Sequence, residues 1–274
     1  MRAIALLTDF GLTDPYVGQM HAALTRLAPG APLIDISHQV EPFGAAQAAF
    51  FLAASAPHFP RDTVFLCVVD PRVGTSRRIL GVQAGSQSFL APDGGLLDLL
   101  LDTPGLPPAH IFDLSAAATD YGLSATFHGR DVFAPLAARL SAGEAMEDLG
   151  PPLAREAVVR QNWAKPQAED GAVLAHVLHV DHFGNCVLSL RQGFAFAGVV
   201  AGLSLEPGES QPLRRVRAYA ELSPGEQGLL LGSQGFYELA SWQDSAAARL
   251  TLSPGDPVRI LYPEGLERME RQDL

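Results

Sequence analysis

Residues 64–69, VFLCVV, form an unbroken apolar run that ends against Asp70. Such a run has strand length, and it leaves no polar face for water. Both of its faces must therefore be covered, which is the condition of strands in sheets layered between helices, and those sheets are mostly parallel. The neighbouring segments fit that architecture. IALLT (4–8) is a second short apolar run, ending at Asp9. Asp14-Pro15 is expected to open a helix, with Asp as N-cap and Pro at the first helical position. Val17, Met20, Leu24 and Leu27 then keep a 3.6-residue period until Pro29-Gly30. PLIDIS (32–37) reads as a strand and AAQAAFFLAAS (45–55) as a buried alanine-rich helix. ILGVQA, SFLAP and HIFDL read as further strands, and 95–102 and 131–140 as helices. Residues 1–151 are thus expected to form an α/β N-terminal domain with a largely parallel sheet.

A polar, irregular stretch follows and reads as a linker over 152–170. Beyond it, VLAHVLHV, CVLSL, VVAGLSL, RRVRAYA, GLLLGS and DPVRILY are short strands divided by Gly/Pro turns, so 171–274 is expected to be a smaller, mostly β C-terminal domain. A length of 274 residues accommodates two domains, and 47% hydrophobic residues supply their cores. The formal net charge of −11 argues against nucleic acid and against an anionic membrane surface as partners. No run approaches the roughly 18 apolar residues of a membrane helix, and the apolar stretch near the N-terminus is short for a signal sequence. Two cysteines, Cys67 and Cys186, lie inside apolar runs and read as buried reduced thiols. A cytoplasmic location is expected.

In open α/β sheets ligands bind beyond the carboxyl ends of the strands, and polar residues collect there: Asp9, Asp70 and Asp93. TDFG (8–11) and HGRD (128–131) look superficially like protein-kinase motifs, but their order is reversed and no glycine-rich loop precedes them. His176, His179 and His182 suit a metal site poorly, because His179 would face away from the other two on a strand. The strand-end acids with Asp14 and Asp131 offer a hard-cation site for phosphoester chemistry, without HxD or DxD spacing to support it. In DPRVGTSRR (70–78) a Gly-containing turn returns a guanidinium towards an acid, which serves a structural ion pair as well as a catalytic one. TFHGRD puts His128 in a turn before a helix. VDHFGN (180–185) and GSQG (232–235) are each compatible with an ordinary hairpin turn or with a ligand loop.

Together, TDFGLTDPYVG, DISHQV, VVDPRVGTSRR, LAPDGGLL, TFHGRD, VDHFGN and GSQGFYELA resemble the adenosine-forming S-adenosyl-L-methionine (SAM) hydrolases, or SAM hydroxide adenosyltransferases, which share a superfamily with the fluorinase and chlorinase. The resemblance runs nearly the whole length. It implies hydrolysis of SAM to adenosine and L-methionine, with Asp70, Arg77 and His128 beside the attacking water. Asp9 is implied to chelate the ribose hydroxyls, Asp14 and Asp181 to contact the methionine part, and Ser233 its carboxylate. Asn185 is implied to read adenine, with Phe127 and Phe183 lining the pocket. It further implies a homotrimer with sites at subunit interfaces, and neither cofactor nor metal. The halogenases carry a tyrosine where Asp70 stands, and an inserted loop that the short path from Arg78 to Leu90 lacks. Four positions depart from the family pattern: Arg72, Gly94, Gln234 and Trp242. Two rival functions remain, a non-catalytic adenosyl-ligand-binding protein and a metal-dependent phosphohydrolase.

Overall fold

The computed structural model describes residues 1–118, 126–169, 171–194, 202–205 and 211–261. The chain divides into two compact units, Met1–Gln161 and Asn162–Leu274.

The first unit is built on six strands: β1 (Ile4–Thr8), β2 (Leu33–Ser37), β3 (Val64–Val68), β4 (Ile79–Ala84), β5 (Gln87–Pro92) and β6 (Ala109–Asp113). Their order is β2-β1-β3-β5-β4-β6. The pairings among β2, β1, β3 and β5 are parallel, while β4 pairs antiparallel with both β5 and β6. The sheet is therefore mixed, parallel through β2, β1, β3 and β5 and antiparallel on either side of β4. The cause is local: Ala84 pairs with Gln87 across the two-residue turn Gly85-Ser86, with Gly85 at φ 58°. Two residues cannot carry a crossover, so β4 must run against β5.

The period of two along the buried strands sorts their side chains into two cores. Ile4, Leu6, Val64, Leu66 and Val68 face one layer, with Met20, Leu24, Phe133 and Leu136. Ala5, Leu7, Phe65 and Cys67 face the other, with Leu52, Phe89, Leu97 and Leu100. The helices α1 (Tyr16–Leu27), α2 (Ala45–Ser55), α3 (Asp98–Leu101), α4 (Ser115–Ala118), α5 (Ala134–Ser141) and α6 (Met146–Leu149) complete the unit. α1 packs with α5, and α2 with α3. α1 begins one residue later than the capping rule suggests: Pro15 holds the N-cap position, no side chain caps it, and Asp14 is exposed.

The stretch 152–170 takes part in both units. Leu153 N–H donates to Ile111 (2.7 Å), Val159 N–H to Asp93 Oδ1 (2.9 Å) and Gln161 N–H to Asp98 Oδ2 (2.7 Å). Further on, β7 (Gln167–Glu169) pairs with β8 (Ala172–Val180). The second unit continues with β9 (Cys186–Arg191), β10 (Gly202–Leu205), β11 (Arg214–Arg215), β12 (Gln227–Leu231), β13 (Phe236–Ser241), α7 (Ala246–Leu250) and β14 (Pro257–Leu261). Its sheet runs β10-β14-β8-β9-β13-β12-β11, antiparallel except for β11 with β12. Of the segment RRVRAYA only Arg214–Arg215 is strand. Residues 199–201 of VVAGLSL lie outside the described residues.

Candidate active site

β1, β3 and β5 are adjacent and parallel, so Asp9, Asp70 and Asp93, which follow them, emerge at one edge of the sheet. Asp70 opens two successive turns. Val73 N–H donates to Asp70 O (3.2 Å), Thr75 N–H to Arg72 O (3.2 Å), and Gly74 sits at φ 79°. These turns bring Arg77 back onto the acid. Arg77 Nε donates to both Asp70 oxygens (3.0 and 2.8 Å), and Nη2 donates to Asp70 Oδ2 as well. The two side chains are only 3% and 6% exposed, so the pair is desolvated and its geometry is held firmly.

The same Nη2 lies 2.8 Å from His128 Nδ1. A guanidinium only donates, so Nδ1 accepts and the imidazole proton resides on Nε2. Burial, and then the nearby Arg77 charge, lower the His128 pKa below its ordinary 6.5, which keeps the ring neutral at pH 7. His128 stands at the start of a π-helical turn, Gly129–Phe133, that runs on into α5. Such turns are rare and recur at functional sites. The bare Gly129 permits close approach here, since a Cβ would lie 3.1 Å from the Phe10 ring and 3.2 Å from Met20 Sδ. Phe10, Tyr16 and Phe127 form an edge-to-face cluster with centroids 5.2–6.1 Å apart, and Arg130 caps Phe127 at 4.9 Å.

Asp9 is half-buried and accepts the Phe43 N–H at 2.9 Å. Phe43 adopts φ 66°, an uncommon conformation for a side chain of its size. Burial raises the Asp9 pKa above 3.8. The N–H groups of Phe43 and of Asp9 itself pull it back, and the negative charge of Asp70 adds to the rise. Thus Asp9, Asp70, Arg77 and His128 form one electrostatically connected group. Around this end Leu12, Tyr16, Phe43 and Val73 are exposed, at 63%, 45%, 68% and 38%.

The other strand-end acids have structural partners. Asp93 is buried and joins Arg78 (3.0 Å) to the Val159 N–H, while Arg72 donates to its carbonyl. Asp131 pairs with the adjacent Arg130 (2.6 Å). The carboxylates do not gather as a hard-cation site: among the described residues the only three-residue group with metal-ligand spacing is His21, Asp35 and His38. None of these was singled out by the sequence reading. The available signal was the i,i+3 pair Asp35 and His38 within DISHQV, but His21 comes from a different element.

In the second unit VDHFGN is a tight loop. Asp181 Oδ1 accepts the N–H groups of Phe183 (2.9 Å) and Asn185 (2.8 Å), and Oδ2 accepts the Asn185 side-chain amide (2.9 Å). Asn185 is buried and Phe183 is 77% exposed. Gly184, at φ 85°, abuts α7, where a Cβ would lie 2.2 Å from Ser245 Oγ. Ser233 and Gln234 are exposed in the turn between β12 and β13, and Trp242 packs against Val216, Leu222, Leu230 and Ala240.

The chain matches the model of the SAM hydroxide adenosyltransferase N-terminal domain over residues 4–150 and that of its C-terminal domain over 175–259. It is 38% identical over 267 residues to the (R)-S-adenosyl-L-methionine hydrolase of Thermus thermophilus, covering 95% of this chain and 100% of that protein. A second hydrolase of that name, from Salinispora tropica, is 37% identical, with 94% and 97% covered. Among solved structures, an uncharacterized conserved protein from Thermotoga maritima superposes with a TM-score of 0.80 at 34% identity, covering 94% of this chain and 99% of that one.

Proposed function

The chain belongs to the SAM hydroxide adenosyltransferase family, and on that premise we propose that it hydrolyses S-adenosyl-L-methionine to adenosine and L-methionine by attack of water at ribose C5′. The observation that carries this reading is the desolvated Asp70–Arg77–His128 constellation beside Asp9, at the carboxyl edge of the parallel strands.

The chemistry asks little beyond preparing the nucleophile. Methionine leaves the sulfonium carbon as a neutral thioether, so its departure needs no general acid and no Lewis acid. The attacking water forms the new C5′–O bond, the C5′–S bond breaks, and one proton must be taken away. Asp70 is the acceptor this geometry favours, because the His128 lone pair at Nδ1 is engaged by Arg77. The His128 Nε2–H is then a donor that orients the water, and Arg77 balances charge as the water oxygen gains hydroxide character. No cofactor takes part in these steps.

Asp9 holds the ribose 2′- and 3′-hydroxyls and Phe127 offers an aromatic wall. Asp14, Asp181, Phe183, Asn185 and Ser233 contact the methionine and adenine ends. For Asp181 and Asn185 the loop hydrogen bonds mean that each would serve through its remaining acceptor capacity. The exposed apolar residues around Asp9 and Asp70 support a site completed by another copy of the chain, within a homotrimer. Cys67 and Cys186, free and buried, suit a reducing cytoplasmic setting. No helix among the described residues is long and apolar enough to cross a membrane.

Turnover in ¹⁸O-water tests the reading. The label is expected in the adenosine 5′-hydroxyl and none in methionine. Adenine as product would place attack at the glycosidic carbon, and S-adenosylhomocysteine would mean methyl transfer; either overturns the proposal. Excess chloride is expected to yield no 5′-chloro-5′-deoxyadenosine, because the Asp70 carboxylate repels a halide from the nucleophile position.

A further inference from the structure

We propose that His21, Asp35 and His38 form a binding site for one divalent transition-metal ion of the Zn²⁺ type, separate from the reaction centre. The three come from different elements: His21 from α1, Asp35 from the edge strand β2, and His38 from the chain that leaves it. Asp35 Oδ1 lies 2.9 Å from His21 Nε2 and 3.1 Å from His38 Nε2, and the three ligand atoms all fall within 4.8 Å of one another. A tetrahedral zinc ion with bonds of about 2.0–2.1 Å holds its ligand atoms about 3.3 Å apart. The cluster needs adjustments of only a few tenths of an ångström along the two measured pairs.

His38 supplies an independent observation. Its side chain is 2% exposed, and Nε2, aimed into the cluster, has no aligned hydrogen-bond partner. Its other nitrogen, Nδ1, lies 2.8 Å from Thr8 Oγ1, a hydroxyl oxygen that also accepts the Phe10 N–H at 3.3 Å. Thr8 can donate to Nδ1 or accept from it: in the first case an Nε2–H stands at the place an ion would take, and in the second the Nε2 lone pair faces the Asp35 carboxylate at 3.1 Å, an arrangement that repels unless a cation lies between them. A ligating histidine whose second ring nitrogen is fixed by an oxygen is the usual arrangement around protein-bound zinc. His21 and Asp35 are 35% and 43% exposed, which leaves an entry path and room for water as the fourth ligand. Two imidazoles and one carboxylate select zinc-like ions over Mg²⁺ or Ca²⁺, which prefer all-oxygen sets.

The ion would act as a strap. It joins α1 to the start of the segment 35–43, whose His38 carbonyl accepts the Gly11 N–H (2.7 Å) and whose Phe43 N–H accompanies Asp9. The site stands independently of what is bound at the strand ends.

Chelator-stripped protein titrated with Zn²⁺ against a chromophoric chelator tests this directly, with Co²⁺ substitution reporting the ligand field in visible absorption. One ion per chain is expected. His21→Ala places the best helix former on α1 and so keeps the fold; it should weaken Zn²⁺ binding by about 10–100-fold or more, since even losing an outer partner of a ligand costs that much. Asp35→Asn should do the same, and Zn²⁺ should raise Tm in the wild type but not in His21→Ala. Absence of saturable uptake by the wild type, or equal affinity in wild type and His21→Ala, would overturn the proposal.

Discussion

Replacing Asp70 by Asn removes a charge while keeping the side-chain shape, and the structure sets the size of the effect. Arg77 donates through Nε and Nη2 to the Asp70 carboxylate, and both side chains are more than nine-tenths buried. An Asn turns an NH₂ group towards these donors and leaves the guanidinium without a counter-ion. Breaking one side of a buried pair costs about 3–5 kcal/mol, which for a unit of this size is about 6–20 °C of Tm. Arg77→Met strands Asp70 in the same way and should cost a comparable amount. The double variant Asp70→Asn/Arg77→Met buries no unpaired charge, so its loss should be smaller than the sum of the two by about 2–3 kcal/mol, near the upper end of measured couplings. Activity should behave differently: all three variants should lose about 10²–10⁴-fold in kcat, and the double variant should recover none of it. Urea unfolding provides the first set of numbers and chromatography of SAM turnover the second. Additive stability losses would refute the coupled buried pair, and wild-type kcat in Asp70→Asn would refute the nucleophile-preparing role.

Further outcomes follow from the same geometry. Because burial and the Arg77 charge lower the His128 pKa, the unfolded chain binds a proton that the folded chain resists; stability from this group is present above pH 6.5 and is lost as the pH falls from there towards the lower folded value. Turnover should fall on the same acid side, with a midpoint below 6.5 in the kcat–pH profile; a midpoint above 6.5 would contradict the Arg77–His128 contact. Asp9→Ala should raise the KM for SAM by roughly 10–100-fold, the worth of a charge-assisted hydrogen bond, with kcat nearly intact; a pure kcat defect would remove Asp9 from the ribose. Gly184→Ala combines a positive φ with a Cβ driven into the Ser245 N-cap of α7, and should cost about 2–3 kcal/mol in thermal unfolding. Sedimentation should give a trimer, and a stable, fully active monomer would exclude shared sites.

Much of this protein is set by local patterning. The apolar runs at 4–8 and 64–69 and the periodic helix after Asp14 specify a covered sheet, because a strand without a polar face has only one stable environment. The expected α1, α2 and the strands 79–84 and 88–92 correspond closely to the elements observed. The acids that terminate β1, β3 and β5 were legible as a group at one edge of the sheet. Motif order along the chain carried the family. The direction of β4 was also encoded, in the two-residue Gly85-Ser86 turn, but it becomes visible only when 79–92 is read as a hairpin instead of two independent strands. Partnership beyond the Asp70–Arg77 turn and the family pattern lay outside the sequence. That Arg77 Nη2 bridges Asp70 to His128, that Asp93 is occupied by Arg78 and Val159, and that His21 meets Asp35 and His38 depend on which elements the fold brings side by side. Periodicity reports how each segment meets water. It carries no information on distances between side chains many residues apart, and those distances decide which carboxylate is structural, which imidazole is neutral, and where a cation can sit.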